Sequence, residues 1–284
     1  EDHNPLHWAQ AKCYAFLYAI QEGMDSIRVR LTYYHLEKKE CRSFLRSFRI
    51  QELADFFHNL TKQYIEWTSL LYQWMAERNR SIRSLVFPFP QYRKGQRELA
   101  AAVYRTVRDG KKLFVQAPTG TGKTIATLFP AIKAMGEGLS SKIFYLTAKT
   151  ITRTVAEKAL DHMRQQGLRM KSLTITAKEK ICFMPEMSCD PLNCKYAKGY
   201  YDRIRDGIKD IFTLDSFTRP VIEEYAMKHC LCPFEFSLDL ALWCDCIICD
   251  YNYAFDPRVY LKRFFMEKGG AYTFLIDEAH NLAD

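Results

Sequence analysis

The sequence has no apolar run approaching the ~20 residues that cross a bilayer, so none of its 284 residues forms a candidate membrane helix. It has no internal repeat and no low-complexity tract, which excludes a solenoid array and a disordered linker. Its opening residues, EDHNPLHW, include no initiator Met and lack the charge and apolar pattern of a signal or transit peptide. They read as a chain that begins within a domain. Without a secretory signal, the ten cysteines imply a reducing compartment, the cytoplasm, where clustered thiols read as metal or cluster ligands rather than disulfides.

What is present is an ordinary globular composition, 48% hydrophobic and 26% charged. The net charge of +8 favours an anionic partner, nucleic acid first. Asn4 caps and Pro5 opens a helix expected to end near Gln21, before Gly23. A strand follows with Ile27, Val29, Leu31 and Tyr33 on one face and Arg28, Arg30 and Thr32 on the other. A second strand is expected over 41–48 and a long amphipathic helix over 51–78. After the junction RNRSIRSLVFPFPQYRKGQ, with a boundary set near Ser84, short apolar strands alternate with helices: KLFVQA, KIFYLTA, SLTIT, CDCIICD and TFLID. That rhythm predicts an α/β fold with a buried parallel sheet.

VQAPTGTGKT follows the first of these strands and precedes a helix expected near Thr124, the context of a phosphate-binding loop, with Ala117 at the position of the usual first glycine. Thr119, Gly120, Thr121 and Gly122 offer backbone amides, Lys123 a cation for the β/γ-phosphates, and Thr124 a ligand for Mg²⁺. FLIDEAH ends a strand in two carboxylates. Asp277 suits Mg²⁺, Glu278 suits polarisation of the attacking water, and His280 joins the ATP site.

APTGTGKT together with DEAH resembles motifs I and II of superfamily 2 helicases. FPFPQYRKGQREL resembles the segment ahead of motif I that contacts adenine, with Gln96 as the reader of the base edge and Arg93 as a second candidate. YLTAKTITR resembles motif Ia, which contacts the backbone of single-stranded DNA through residues such as Thr147, Lys149, Thr150 and Arg153. Solvated helix positions are the alternative for Gln96 and Arg153.

Cys182, Cys189, Cys194 and Cys232 form C-x6-C-x4-C-x37-C between the two nucleotide motifs. In that position they resemble the iron–sulfur domain of XPD/DinG helicases, and CPFE resembles the family's CPYE. The resemblance implies a 4Fe–4S cluster on those four thiolates. Tetrahedral zinc is the alternative, but it prefers tighter knuckles, and no histidine stands among the first three cysteines. Cys230 is a spare for Cys232. Cys244, Cys246 and Cys249 read as core thiols, the first two sharing one face of a strand and the third the other.

Gln10 and Tyr14, four apart on a helix, resemble the Gln-x-x-x-Tyr motif of RecB-like PD-(D/E)XK nucleases. The metal-binding Asp and Glu and the Lys of that family precede the motif, and residues 1–9 contain no such constellation; a pair on a helix surface is the alternative for Gln10 and Tyr14.

The resemblances imply a RecA-like motor domain over 85–284 with an iron–sulfur insertion near 178–235. They imply an α+β nuclease half over 1–84. The chain stops four residues after the DEAH, with no Arg after Glu278. A second motor domain is therefore expected elsewhere, and this piece by itself is expected to be nearly inactive. The implied whole is a 5′–3′ ATP-dependent DNA helicase of DNA repair, acting with ATP, Mg²⁺ and the cluster on single-stranded or forked DNA. Two alternatives are a zinc-stabilised nucleic-acid-binding module with a non-catalytic loop, and a DNA nuclease with a regulatory ATPase.

Overall fold

The structure is a computed structural model. It describes residues 4–118, 120–187, 189–259, 261–266 and 269–282, without the Thr150 side chain. The chain divides into two compact units, 1–75 and 76–284, the division falling inside a long helix.

In the first unit, α1 (Pro5–Gln21) begins where the Asn4 side chain accepts from the Leu6 amide, and Pro5 fills a position that needs no donor. Its chain reverses at Gly23, whose φ of +64° suits glycine. β1 (Ser26–His35) and β2 (Glu40–Arg49) pair antiparallel in the register Ile27↔Phe48, Leu31↔Phe44. One face of this hairpin covers a small core of Ala15, Phe16 and Leu53, joined by Ile27, Val29 and Phe48. α2 (Ile50–Ser84) leaves β2 without a loop and carries the chain into the second unit.

The second unit continues with α3 (Gln96–Arg108), α4 (Lys123–Gly136), β3 (Lys142–Leu146), α5 (Thr150–Gln165), β4 (Ser172–Thr174) and α6 (Lys178–Ile181). Then follow α7 (Tyr200–Ile211), β5 (Ser216–Phe217), α8 (Arg219–Lys228), α9 (Pro233–Ala241), β6 (Cys246–Cys249), α10 (Asn252–Phe255), α11 (Lys262–Phe265) and β7 (Tyr272–Ile276). The fold class is α/β, with a five-stranded parallel sheet in the order β5-β4-β6-β3-β7.

Both faces of the sheet are covered, so its central strands are apolar throughout. Phe144, Leu146, Ile247 and Cys249 face a cluster built with α7, α8 and α9. Ile143, Tyr145, Cys246 and Ile248 face one built with α4, α5 and the end of α2. Ile82 of α2 packs so closely on α4 that a Cβ on Gly136 would lie 2.4 Å from its Cγ2. No helix among the described residues is long and apolar enough to cross a membrane.

Two expectations are corrected. KLFVQA is not a strand of the sheet: residues 111–118 have no ladder, and Leu113, Phe114 and Val115 are 40%, 90% and 49% exposed. An extended segment becomes a strand only against a hydrogen-bonded neighbour, and β7, whose one recorded partner is β3, ends the sheet. Cys244 lies in the same core cluster as Cys249, on the other side of the sheet from Cys246. It lies in the turn before β6, where the period-two alternation has not begun.

Two buried lysines and a half-buried one fix the helix ends. The Lys142 ammonium donates to the Ala241 and Leu242 carbonyls at the end of α9, at 3.0 and 3.3 Å. The Lys171 ammonium donates to Phe212 and Leu214 beyond α7, at 2.5 and 2.7 Å. That of Lys133 donates to Ile82 and Arg83 at the end of α2, at 2.8 and 3.0 Å. Arg78 pairs with Asp245, both buried, and the other Asp245 oxygen accepts from the Lys171 amide at 2.9 Å. Asp245→Ala strands a buried guanidinium and an amide, so it should cost about 3–5 kcal/mol in urea unfolding. A loss under about 1 kcal/mol would mean that water replaces the carboxylate.

Candidate nucleotide site

The loop between residue 117 and α4 turns on two glycines in the left-handed region, Gly120 at φ +80° and Gly122 at φ +76°. Gly122 is also sterically required: a Cβ there would lie 2.4 Å from Nε2 of Gln96. Thr121 donates its hydroxyl proton to the Pro118 carbonyl at 2.9 Å, and Lys123, the first residue of α4, donates to the Ala117 carbonyl at 2.9 Å. The free amides of the first turn of α4 thus stand beside an ammonium group, the arrangement that binds phosphate. Thr119 and the Thr150 side chain lie outside the described residues.

The DEAH segment is brought up by β7. The Asp277 amide donates to the Leu146 carbonyl at 3.0 Å, extending the β7–β3 ladder to the acidic turn. Between loop and turn stands Tyr145, 2% exposed in the middle of β3. Its hydroxyl reaches Asp277 Oδ2 at 3.1 Å and Thr124 Oγ1 at 3.5 Å. Burial keeps this phenol neutral by pushing its pKa far up. Glu278 has a φ of +49°, a costly conformation for a residue with a Cβ. Its carbonyl accepts from the Tyr251 hydroxyl at 3.2 Å and the Asn281 amide at 3.0 Å. Its carboxylate meets the Lys149 ammonium at 3.0 Å, and that contact holds the carboxyl below the usual carboxylate range. His280 is exposed in a short 3-10 turn over Ala279–Leu282.

Gln96 is 4% exposed and spends both ends of its amide on the protein. Its Oε1 accepts from the Arg93 amide at 3.0 Å and its Nε2 donates to the Gly122 carbonyl at 3.2 Å. Arg93 donates to the Gly120 carbonyl. As placed, the two brace the phosphate loop, and reading a base edge requires giving up a brace. A cavity of about 650 Å³ opens beside them, lined in part by Phe89, Arg93, Gln96, Thr124, Lys158 and His162. The Phe89 and His162 rings stack there at 4.9 Å.

Of the residues assigned to a nucleic-acid backbone, Thr147 is 2% exposed and sits in the sheet core. Lys149 is the N-cap residue of α5 and holds Glu278; Arg153 is one turn on and pairs with Asp250 at 3.0 Å.

All ten cysteines are free thiols. Cys182 ends α6 and Cys232 is the N-cap residue of α9, two helices in contact, so the two thiols become neighbours. The Lys178 ammonium lies beside Cys189, which raises its pKa, and beside Cys232. Cys194 is buried in a turn, its amide donating to the Asp190 carbonyl at 2.9 Å. Arg203 ties that turn to the next cysteine pair, donating to the carbonyls of Lys198 at 2.7 Å and Cys230 at 2.8 Å. Among the described residues no three His, Cys, Asp or Glu side chains converge as ligands of a metal ion. The four thiols suit a cluster by chemistry. Lys178 stands near Cys189 and Cys232, and Cys182 is near enough to Cys232 to influence it electrostatically.

Residues 93–184 match the family model described as DEAD/DEAH box helicase, and residues 146–284 match DEAD_2. The XPD subunit of general transcription and DNA repair factor IIH from Dictyostelium discoideum is 20% identical over 225 residues, 69% of this chain and 29% of that protein. ATP-dependent helicase DinG of Mycobacterium tuberculosis is 58% identical over 40 residues, 14% of this chain and 6% of DinG. By these matches the chain is similar to helicases of the XPD/DinG-like superfamily 2 family. It spans about 29% of the length of its Dictyostelium relative. A solved structure titled XPD_Helicase aligns with a TM-score of 0.46 at 20% identity, over 68% of this chain and 34% of that one.

Two residues of this site escape a reading by motif. Tyr145 lies in KIFYL, where an aromatic in an apolar strand reads as core, and Tyr251 lies 26 residues before the backbone oxygen of Asp277 to which it donates. A polar tip on a buried aromatic, which must find a partner, was the available signal.

Proposed function

We propose that the chain is the nucleotide-binding part of an ATP-dependent DNA helicase that translocates 5′–3′ on single-stranded DNA. Residues 85–284 act as its first motor domain and about 178–235 as an iron–sulfur insertion. The observation that carries the reading is the convergence at Tyr145, which links Thr124 of the phosphate loop to Asp277 of the acidic turn. Two motifs 153 positions apart meet there across a buried strand, as a single phosphate–metal site requires.

In this reading the loop amides of 119–122 and Lys123 hold the ATP phosphates, and Glu278 orients and deprotonates the attacking water. Thr124 and Asp277 would hold Mg²⁺, which when bound neutralises charge between the phosphates. Arg93, Gln96 and the adjoining cavity receive the base, and His280 flanks the phosphates. A second motor domain supplies the arginine opposite the γ-phosphate. Thr147, Lys149, Thr150 and Arg153 belong to the DNA-facing segment. Cys182, Cys189, Cys194 and Cys232 would hold a 4Fe–4S cluster, which when bound cross-links the insertion; the Lys178 ammonium lies beside two of the thiols. Residues 1–84, with Gln10 and Tyr14 exposed on α1, are read as the back half of a nuclease-like domain. The ten cysteines are read as belonging to a reducing compartment, the cytoplasm.

The test is single-strand binding against salt. Affinity should fall with log[salt] at a slope of about 0.7 per neutralised phosphate, alike for unrelated sequences. Salt-independent or strongly sequence-selective binding would sink the proposal.

A further inference from the structure

The ion pair between Lys149 and Glu278 joins two residues that the proposed function assigns to different tasks. Lys149 stands at the head of α5, in the segment assigned to the DNA backbone. Glu278 is assigned to the water. Their side chains meet at 3.0 Å and are 64% and 35% exposed. The geometry at Glu278 favours this contact. Its left-handed backbone and the hydrogen bonds from Tyr251 and Asn281 to its carbonyl fix where the side chain starts. The Asn281 side-chain amide approaches the same carboxylate oxygen, Oε2, at 3.5 Å. A carboxylate held by an ammonium group is turned toward its partner instead of toward water.

We propose that Lys149 is a nucleic-acid-sensitive clasp on Glu278: a backbone phosphate draws Lys149 away and releases the carboxylate to the water of ATP hydrolysis. Lys149 is thus a positioning residue acting through Glu278, and the inference rests on the nucleotide-site reading given above. The neighbouring cation, Arg153, is a poorer candidate. Its pair with Asp250 is less exposed, at 17% and 27%, and Asp250 has no part in the nucleotide site. An exposed lysine pair is worth at most a factor of about five, small enough for a phosphate to displace. The clasp therefore accounts for up to about fivefold of any DNA stimulation. More than that must come from elsewhere in the motor.

Linkage makes the proposal testable without turnover. If DNA binding opens the clasp, removing the Glu278 charge must tighten DNA binding by the factor that the clasp costs it. The experiment uses the full-length protein, an oligothymidylate probe and fluorescence anisotropy without nucleotide. Glu278→Gln should bind about two- to fivefold tighter than wild type. Lys149→Met should bind more weakly, with the salt slope reduced by about 0.7. The double variant should match Lys149→Met, because Glu278 then has no lysine to hold. In turnover, Lys149→Met should raise the DNA-free ATPase rate up to about fivefold and lower the ratio of stimulated to basal rate by the same factor.

Unchanged affinity in Glu278→Gln, or additive effects in the double variant, would overturn the clasp. So would an equal fall of both rates in Lys149→Met, which would mean that lysine holds Glu278 in its productive position. Failure of the nucleotide reading looks different: wild type would then show no ATPase activity that Lys123→Ala removes, and the DNA-binding cycle would still decide the clasp.

Discussion

Glu278→Gln in the full-length protein should retain Mg·ATP and cut its steady-state hydrolysis by about 10²–10⁴-fold, the range for loss of a positioned general base. The substitution keeps size and shape. The bonds that hold this turn run through the backbone, from Tyr251 and Asn281 to the Glu278 carbonyl and from the Asp277 amide to Leu146, and none needs the carboxylate. What is lost is a proton acceptor and the ion pair with Lys149. Lys123→Ala should differ in kind, because it removes the cation at the head of α4 and should weaken ATP binding as well as turnover. Paired measurement of nucleotide affinity and single-turnover hydrolysis separates the two. Turnover within a few-fold of wild type in Glu278→Gln would assign the base elsewhere.

Cysteine substitutions should divide into two groups. Anaerobically purified protein is expected to carry about four irons and four sulfides per chain. Replacing Cys182, Cys189, Cys194 or Cys232 with Ser should abolish that content and loosen residues 180–235. Replacing Cys246 or Cys249 should leave the iron in place. Cys182, Cys189 and Cys232 are partly or fully accessible and lie near a lysine or one another. Cys246 and Cys249 are 0% exposed in the sheet, and burial pushes the Cys246 thiol up to about 12 and that of Cys249 higher still. Burial raises the Cys232 thiol as well, but that residue stays partly exposed, whereas Cys246 and Cys249 are closed to a cluster by complete burial. Iron lost from Cys249→Ser and kept in Cys189→Ser would reverse the assignment.

Elements whose signals are local were legible in the sequence. The Asn4–Pro5 cap, the alternation of Ile27 to Tyr33, and the apolar runs at β3, β6 and β7 each declare themselves within a few residues. KLFVQA had the same local signal and forms no ladder, because a strand also needs a neighbour, and its own sequence does not record whether one is present. The two-residue β5 is too short to carry any period. At the nucleotide site, the glycines and Lys123 were legible because the loop's conformation demands them. The partners were not: Gln96 and Gly122 are 26 positions apart, Tyr145 and Asp277 132, Lys149 and Glu278 129. Such pairs are set by sheet order, which brings β7 beside β3, and motif spacing is silent about it.

The most direct test of the central claim, that phosphate loop and acidic turn form one DNA-coupled ATP site, is the steady-state ATPase rate of the full-length protein with and without single-stranded DNA. Wild-type turnover should rise when DNA is added, and Lys123→Ala should show none under either condition. Turnover that ignores DNA, or that survives Lys123→Ala, would contradict the account.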